Sequence, residues 1–190
     1  MDGTTIRTER LVLVAPDGAI ERAAAGGPQA LARALGARVP RDWPPPMAAN
    51  VLGYWAVRLE AEPALRGWTA RYWLLERDAG EPELVGYGGF KGPPDAEGTV
   101  EVGYAVVAGR QRAGLATEAV GALVSWAFAR SEVRSVVAHT YPELHASIRV
   151  LEKLGFERRG EGAEPRTLCY RLARPELPEC RGMNGNPLAG

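Results

Sequence analysis

The chain has 190 residues, 46% hydrophobic and 24% charged, and its 23 basic and 23 acidic side chains cancel. This composition predicts one globular domain with a sizeable core, and the absence of a basic excess excludes a typical nucleic-acid-binding protein. Charged residues near the N-terminus disfavour a signal peptide, and the longest uncharged apolar run, Ala119–Ala129, is too short to cross a bilayer. We therefore expect a cytoplasmic protein with neither a nucleic-acid nor a membrane partner.

The first third of the chain predicts a strand followed by short helices. Residues Thr5–Val14 alternate and are rich in β-branched side chains, which predicts one strand. Ala19–Ala37 has a helical composition, but Gly26-Gly27-Pro28 interrupts it, so two short helices are expected. A stiff, extended connector at residues 43–46 precedes Met47–Leu65, where apolar residues at helical spacing predict another helix.

The rest of the chain predicts a meander and a crossover. The expected elements are strands at Thr69–Glu76, Leu84–Lys91 and Thr99–Val107, a helix at Leu115–Arg130, a strand at Arg134–Thr140, a helix from Pro142 to Gly155, and strands at Phe156–Arg159 and Thr167–Leu172. The strand–helix–strand unit between Thr99 and Thr140 makes its two strands parallel neighbours. The predicted fold is α/β (α+β), a mixed, mostly antiparallel sheet with helices on both faces. Residues 1–174 form its single domain, and residues 175–190, rich in Gly, Pro and Asn, form a disordered tail.

The turn Arg110–Ala116 has the features of a pyrophosphate site. Its small residues let the backbone approach a ligand, and consecutive N–H groups can point at one anion. The N-terminus of the following helix adds a partial positive charge. A lysine followed by Ser or Thr, which a P-loop requires, is missing, and so is the three-glycine spacing of a dinucleotide-binding fold.

Four segments, in order, resemble the GNAT acyltransferases, in particular their RimJ/RimL branch. The turn Gln111–Ala116 resembles motif A of the family, Gln/Arg-x-x-Gly-x-Gly/Ala, and Ala146–Phe156 resembles motif B almost letter for letter. Arg7–Leu13 is similar to the Thr-Glu-Arg-Leu opening of that branch, and Gly88–Asp95 followed by Val100–Tyr104 also looks like a branch of the family. The resemblance implies the GNAT fold, acetyl-CoA as the acyl donor, and direct attack by a primary amine, from a protein N-terminus or a small molecule. Its implied cofactor-binding residues are Val106, Val107, Arg110, Gln111, Arg112, Ala113, Gly114, Leu115, Ala116, Thr117, His145 and Ser147.

Glu101 is the candidate general base. In a strand it shares its face with Gly103 and Ala105, which leave room for a ligand or a close-packed helix. In GNAT enzymes a Glu at this position often takes the proton of the attacking amine, directly or through water. A strand carboxylate paired with a neighbouring Arg is the alternative.

Ser147 is the second candidate catalytic residue, because the matching serine of the RimJ/RimL group contacts the sulfur of CoA. A hydroxyl bonded within its own helix is the alternative. Leu151 holds the position at which other branches carry a tyrosine acid. Leu144-His145 replaces an Asn common in the family, and His145 is expected to be an exposed residue of the first helical turn, with a donor role as the alternative. His139 is expected to be a structural residue of its strand.

Acceptor specificity would lie in the aromatic segment before the meander. Trp43, Tyr54 and Trp55 would line a substrate pocket, with a place in the core as the alternative. Cys169 and Cys180 lack metal-ligand spacing, so unpaired thiols, no metal and no covalent acyl-enzyme are expected. A GNAT-fold protein that binds acyl-CoA without turnover is the alternative function. GNAT proteins often form dimers, which implies a homodimer here.

Overall fold

The computed structural model describes residues 5–45, 48 and 54–175. Within these residues one sheet of eight strands runs in the order β1-β2-β3-β4-β5-β6-β8-β7. The strands are β1 (Thr5–Arg7), β2 (Leu11–Val14), β3 (Ala70–Leu75), β4 (Glu83–Phe90), β5 (Thr99–Val106), β6 (Ser135–Thr140), β7 (Glu157–Glu161) and β8 (Leu168–Ala173). Only β5 and β6 are parallel neighbours among them, which confirms the mixed, mostly antiparallel sheet and its central crossover.

The helices lie on both faces of this sheet. They are α1 (Gly18–Ala25), α2 (Pro28–Leu35), α3 (Tyr54–Ala61), α4 (Leu115–Phe128) and α5 (His145–Lys153). The two short helices predicted at the start of the chain are confirmed as α1 and α2. The helix predicted over 47–65 lies partly outside the described residues. From Pro63 the chain forms a separate 3-10 helix, Pro63–Trp68. The predicted tail lies outside the described residues from 176 onward.

The prediction of one strand over Thr5–Val14 is wrong. β1 and β2 are separate strands that pair antiparallel around residues 8–10. The backbone N–H of Thr8 donates to the carbonyl oxygen of Leu11, and the N–H of Leu11 donates to the hydroxyl oxygen of Thr8, both at 2.9 Å. The Thr8 hydroxyl therefore closes a turn inside a β-branched run.

Each face of the sheet has its own core. Against one face, α4 buries Ala119, Val120 and Leu123 among the strand residues Val100 and Val136. Against the other face, α2 buries Leu31 in a cluster that includes Tyr72, Leu84 and Tyr87. Odd-numbered residues of β5 from Glu101 therefore face the side of α2, and even-numbered residues face α4.

β5 and β6 separate part-way along their length. Their paired residues are Thr99 with Ser135, Val100 with Val136, and Glu101 with Val137. Beyond Glu101, β5 continues beside β4, whereas β6 continues beside β8. The sheet thus opens directly after Glu101, and we call this opening the central gap.

Candidate active site

The N-terminus of α4 is open to a ligand. A 3-10 turn, Ala108–Arg110, leads to Gly114, which has φ of +80° and begins the helix without a capping side chain. Residues 111–114 are exposed. The first N–H groups of a helix have no carbonyl partner within it, so those of α4 can meet an anion, which the helix dipole also attracts.

The turn between β1 and β2, at the edge of the sheet, holds the N-terminus of α4 in place. The carboxylate of Glu118, in the first turn of α4, accepts hydrogen bonds from the Thr8 hydroxyl at 2.6 Å, the Arg10 backbone N–H at 2.8 Å and the Arg10 Nε at 2.7 Å. Arg10 also donates to the carbonyl oxygen of Ala113. Burial alone would raise the pKa of Glu118, but these hydrogen bonds and the charge of Arg10 outweigh it and lower that pKa. We call this arrangement the Glu118 network, and it gives the Thr-Glu-Arg-Leu segment a structural role.

The side chain of Arg110, a predicted cofactor-binding residue, is bonded within the protein. Its guanidinium bonds the buried carboxylate of Glu83 at 3.1 and 2.6 Å, and Arg38 and Arg77 pair with the same carboxylate. The side-chain amide of Gln111 likewise donates to a backbone carbonyl. The groups left to meet an anion are the backbone N–H groups of residues 112–117 and the exposed guanidinium of Arg112.

Glu101 lies where the central gap begins. Its Oε1 accepts hydrogen bonds from Nζ of Lys91 at 2.5 Å and from Nδ1 of His139 at 3.0 Å. Because the carboxylate is ionised, this contact places a proton on Nδ1. Burial alone would raise the pKa of Glu101, but the bonds and charges of Lys91 and His139 lower it. Oε2 makes no hydrogen bond within the described ranges, so one oxygen is fixed and the other is free.

Lys91 and His139 are site residues that the sequence reasoning missed. His139 was expected to be structural, but the parallel register places Val137 beside Glu101 and so puts His139 on the face of that carboxylate. Lys91 takes the place of the arginine partner considered for Glu101. Cys169 is opposite His139 on β8, and burial together with the charge of Glu101 raises its pKa, so the thiol stays protonated.

Ser147 lies in the first half of α5 and contacts Tyr104, which is on the opposite face of β5 from Glu101. The Tyr104 hydroxyl is 3.1 Å from its Oγ and 3.2 Å from its carbonyl oxygen. Burial raises the pKa of Tyr104 to about 12, against the opposing effect of the bond to Ser147. His145 is the exposed first residue of α5. Tyr104 is a further site residue that the sequence reasoning missed. Its even position on β5 was a signal that could have found it, because that face of the strand is the one toward α5.

An apolar cleft of about 310 Å³ adjoins Glu101 on the α2 side of the sheet. We call it the acceptor cleft, and its lining includes Trp55, Tyr87, Phe90, Lys91, Gly103 and Ala105. Trp43 is instead a core residue, with ring centroids 5.9 Å from Tyr72 and 6.3 Å from Tyr87, which corrects its expected place in the pocket. The side chain of Tyr54 lies outside the described part of the chain.

Residues 13–157 match the model of the acetyltransferase (GNAT) domain. This chain belongs to the GNAT family. It is 28% identical over 165 residues to the uncharacterized N-acetyltransferase YjdG of Bacillus subtilis, and the aligned residues cover 87% of this chain and 96% of that protein. The structure of Mycobacterium smegmatis RimJ with CoA-disulfide has a TM-score of 0.62 and 22% identity, covering 94% of this chain and 91% of that one. RimL, the ribosomal L7/L12 alpha-N-protein acetyltransferase, in complex with coenzyme A, has a TM-score of 0.61 and 18% identity, covering 89% and 97%.

These likenesses confirm the predicted GNAT fold and the resemblance to RimJ and RimL. Among the described residues, no group of three or more His, Cys, Asp or Glu is arranged to hold a metal ion. No helix in the same part of the chain has the length and apolar character that crossing a membrane requires. In this GNAT protein the central gap begins at Glu101, and Lys91, which bonds Glu101, lines the acceptor cleft. The open helix end follows β5 in the chain.

Proposed function

We propose that this GNAT protein transfers the acetyl group of acetyl-CoA to a primary amine, by direct attack in a ternary complex. The observation that carries the proposal is the position of Glu101, which has a free oxygen at the start of the central gap and borders the acceptor cleft. The Tyr104–Ser147 hydroxyl pair lies further along, where β5 has left β6, on the opposite face of the sheet toward α4. A carboxylate on one face beside the gap and two hydroxyls on the other fit a reaction that removes a proton on one face and returns one on the other.

The donor would be held mainly by backbone groups. The uncapped N-terminus of α4 fits a pyrophosphate, with the N–H groups from 112 to 117 as its donors. The gap after Glu101 would take the acyl-bearing arm, between β5 and β6. There, backbone N–H groups of β5 that have no partner on β6 can stabilise the negative charge that develops on the acyl oxygen.

The acceptor reaches the protein as an ammonium ion and must lose a proton before it attacks the thioester. Glu101 remains ionised because its pKa is lowered, so it attracts the ammonium and receives the proton on Oε2, directly or through water. A low pKa also makes this carboxylate a weak base. The apolar cleft compensates, since burial lowers the pKa of an ammonium ion and favours the neutral amine.

The amine nitrogen then forms a bond to the acyl carbon, the carbon–sulfur bond breaks, and the sulfur leaves with both electrons as a thiolate. The second proton of the nitrogen leaves as the amide forms, and it passes to that thiolate, which gives free CoA. Ser147 would donate a hydrogen bond to that sulfur, and Tyr104 would hold the Ser147 hydroxyl in position. Because the pKa of Tyr104 is about 12, its proton is in place throughout the neutral range.

Binding of acyl-CoA without turnover is the second candidate function. The bond between Lys91 and Glu101 favours it, because a carboxylate neutralised by an ammonium group is a poor base. The retained Ser147–Tyr104 pair favours the enzyme. The domain bounds, homodimer and cytoplasmic location expected from the sequence stay predictions.

The deciding experiment measures the melting temperature with acetyl-CoA and the release of free CoA with a panel of amines. We expect acetyl-CoA to raise the melting temperature, because a ligand that binds only the folded state stabilises it. We also expect CoA release to depend on the amine. Binding with no amine-dependent release would favour the sensor, and no binding at millimolar acetyl-CoA would contradict both functions.

A further inference from the structure

The acceptor cleft has a flat apolar lining. Buried aromatic residues Trp55 and Tyr87 contribute to its walls, and Ala105 adds a small apolar surface. Aromatic rings bind best to other flat or branched apolar groups, against which they bury large areas. The lining therefore favours a ligand with a flat hydrocarbon skeleton.

Gly103 keeps space open in this cleft. A Cβ added to Gly103 would meet no atom nearer than Cε of Lys91 at 3.8 Å. By contrast, a Cβ on the neighbouring Gly88 would lie only 2.7 Å from the carbonyl oxygen of Gly103, so packing within the sheet requires that glycine. No such packing requires a glycine at 103, and the free volume beside Glu101 is available to a ligand.

Among the described residues that line the cleft, none offers a carboxylate to a second positive charge. Lys91 is the charged residue of that lining, and its ammonium group is already bonded to Glu101. A second ammonium of the acceptor would be buried without a carboxylate, which is energetically costly.

We propose that the acceptor is a single primary amine on a flat apolar skeleton, either a free arylalkylamine or the N-terminal aromatic residue of a peptide. The inference rests on the proposed acetyl transfer and names its substrate class. Polyamines and aminoglycosides are excluded, because each carries several ammonium groups. The same apolar surroundings lower the pKa of the ammonium ion, and so they promote loss of the proton that must leave before the amine attacks.

The first test compares acceptors by the rate of CoA release. The free amines are tryptamine, phenethylamine, methylamine, spermidine and kanamycin, and two peptides differ only in an N-terminal Phe or Asp. We expect kcat/KM for the aromatic amine or the Phe peptide to exceed that for spermidine and kanamycin by about tenfold or more. Comparison of the free amines with the Phe peptide identifies the source of the amine. Higher activity on spermidine or kanamycin would overturn the inference.

The second test fills the cleft with Gly103→Ala and Gly103→Val. We expect KM for tryptamine to rise in the order glycine, alanine, valine, while KM for methylamine and the dissociation constant of acetyl-CoA stay unchanged. An equal loss for tryptamine and methylamine would mean that valine displaces Glu101, and would contradict the inference. If acetyl-CoA does not bind the wild type, the proposed function itself fails. If it binds but no amine of the panel reacts, the proposed function fails in favour of the sensor. If other amines react and the aromatic amines and the Phe peptide do not, the substrate class is wrong.

Discussion

The donor side and the acceptor side of this GNAT protein are built in different ways. The donor side is a continuous turn and helix end, from 108 to 118, held by the turn at Thr8–Arg10. The acceptor cleft combines side chains from α3, β4 and β5, which are far apart in the sequence. Motifs therefore identify the donor side, whereas the acceptor side becomes visible only after the chain has folded. In the proposed reaction, backbone groups would hold the donor and side chains would decide which amine is accepted.

The largest effect is expected from Glu101→Gln, at the border of the two sides. The amide cannot take the proton of the acceptor, so turnover should fall about 100-fold or more, while acetyl-CoA affinity stays the same. Steady-state kinetics and calorimetry measure the two quantities. Glu157→Gln, on the exposed strand β7, is the control and should retain full activity. Unchanged turnover in the Glu101 variant would place the base elsewhere.

A smaller loss is expected from the hydroxyl pair on the donor side. Tyr104→Phe and Ser147→Ala should each lower kcat about tenfold, because a single hydrogen bond to the leaving group contributes about 1.4 kcal/mol. If Tyr104 acts by holding Ser147, the double variant should lose little more than either single variant. Fully additive losses would mean that the two hydroxyls act independently. Melting temperatures identify any loss that comes from misfolding.

Stability should change moderately when the Glu118 network is broken. Glu118→Gln should lower the free energy of unfolding at neutral pH by about 1–2 kcal/mol, since the largely buried carboxylate loses charged hydrogen bonds to Thr8 and to the exposed Arg10, and should weaken acetyl-CoA binding. The control is Glu76→Gln, whose bond to Arg7 is exposed and should contribute little. Equal denaturant midpoints for the two variants would contradict a structural role for the network.

The pH dependence of this difference follows from the pKa of Glu118. That pKa is lower in the folded protein than in the unfolded chain, so the stabilisation is complete above the ordinary glutamate value. It should disappear as the pH falls through the lowered pKa. A difference between wild type and Glu118→Gln that persists in strong acid would show that packing, and not charge, is responsible.

The smallest effect is expected from Lys91→Met, at the rim of the acceptor cleft. Loss of the Lys91 bond and charge should raise the pKa of Glu101, because burial then acts with less opposition. The acid limb of the kcat/KM profile, which requires ionised Glu101, should move to higher pH. An acid limb that does not move would separate Lys91 from the titration of Glu101.

The sequence predicts local features of this protein better than its long-range contacts. The two short N-terminal helices, the crossover and the faces of β5 follow from glycine, proline and alternation, which act within a few residues. The partners of Glu101 and Ser147 are different, because His139 and Tyr104 lie 38 and 43 residues from them and meet them only through sheet register and helix packing. The bond between Arg110 and Glu83 was missed for the same reason, since the two residues are 27 apart in the sequence.

The short pairing between β5 and β6 also has a mechanical consequence. The sheet consists of two panels, β1–β5 and β6–β8, joined along the strand edges by the residue pairs from Thr99 to Glu101. A donor molecule lying in the gap would bridge these panels and resist their separation. Amide hydrogen exchange in β6 should then slow when the donor is present and recover after turnover, so that rigidity follows occupancy through each catalytic cycle.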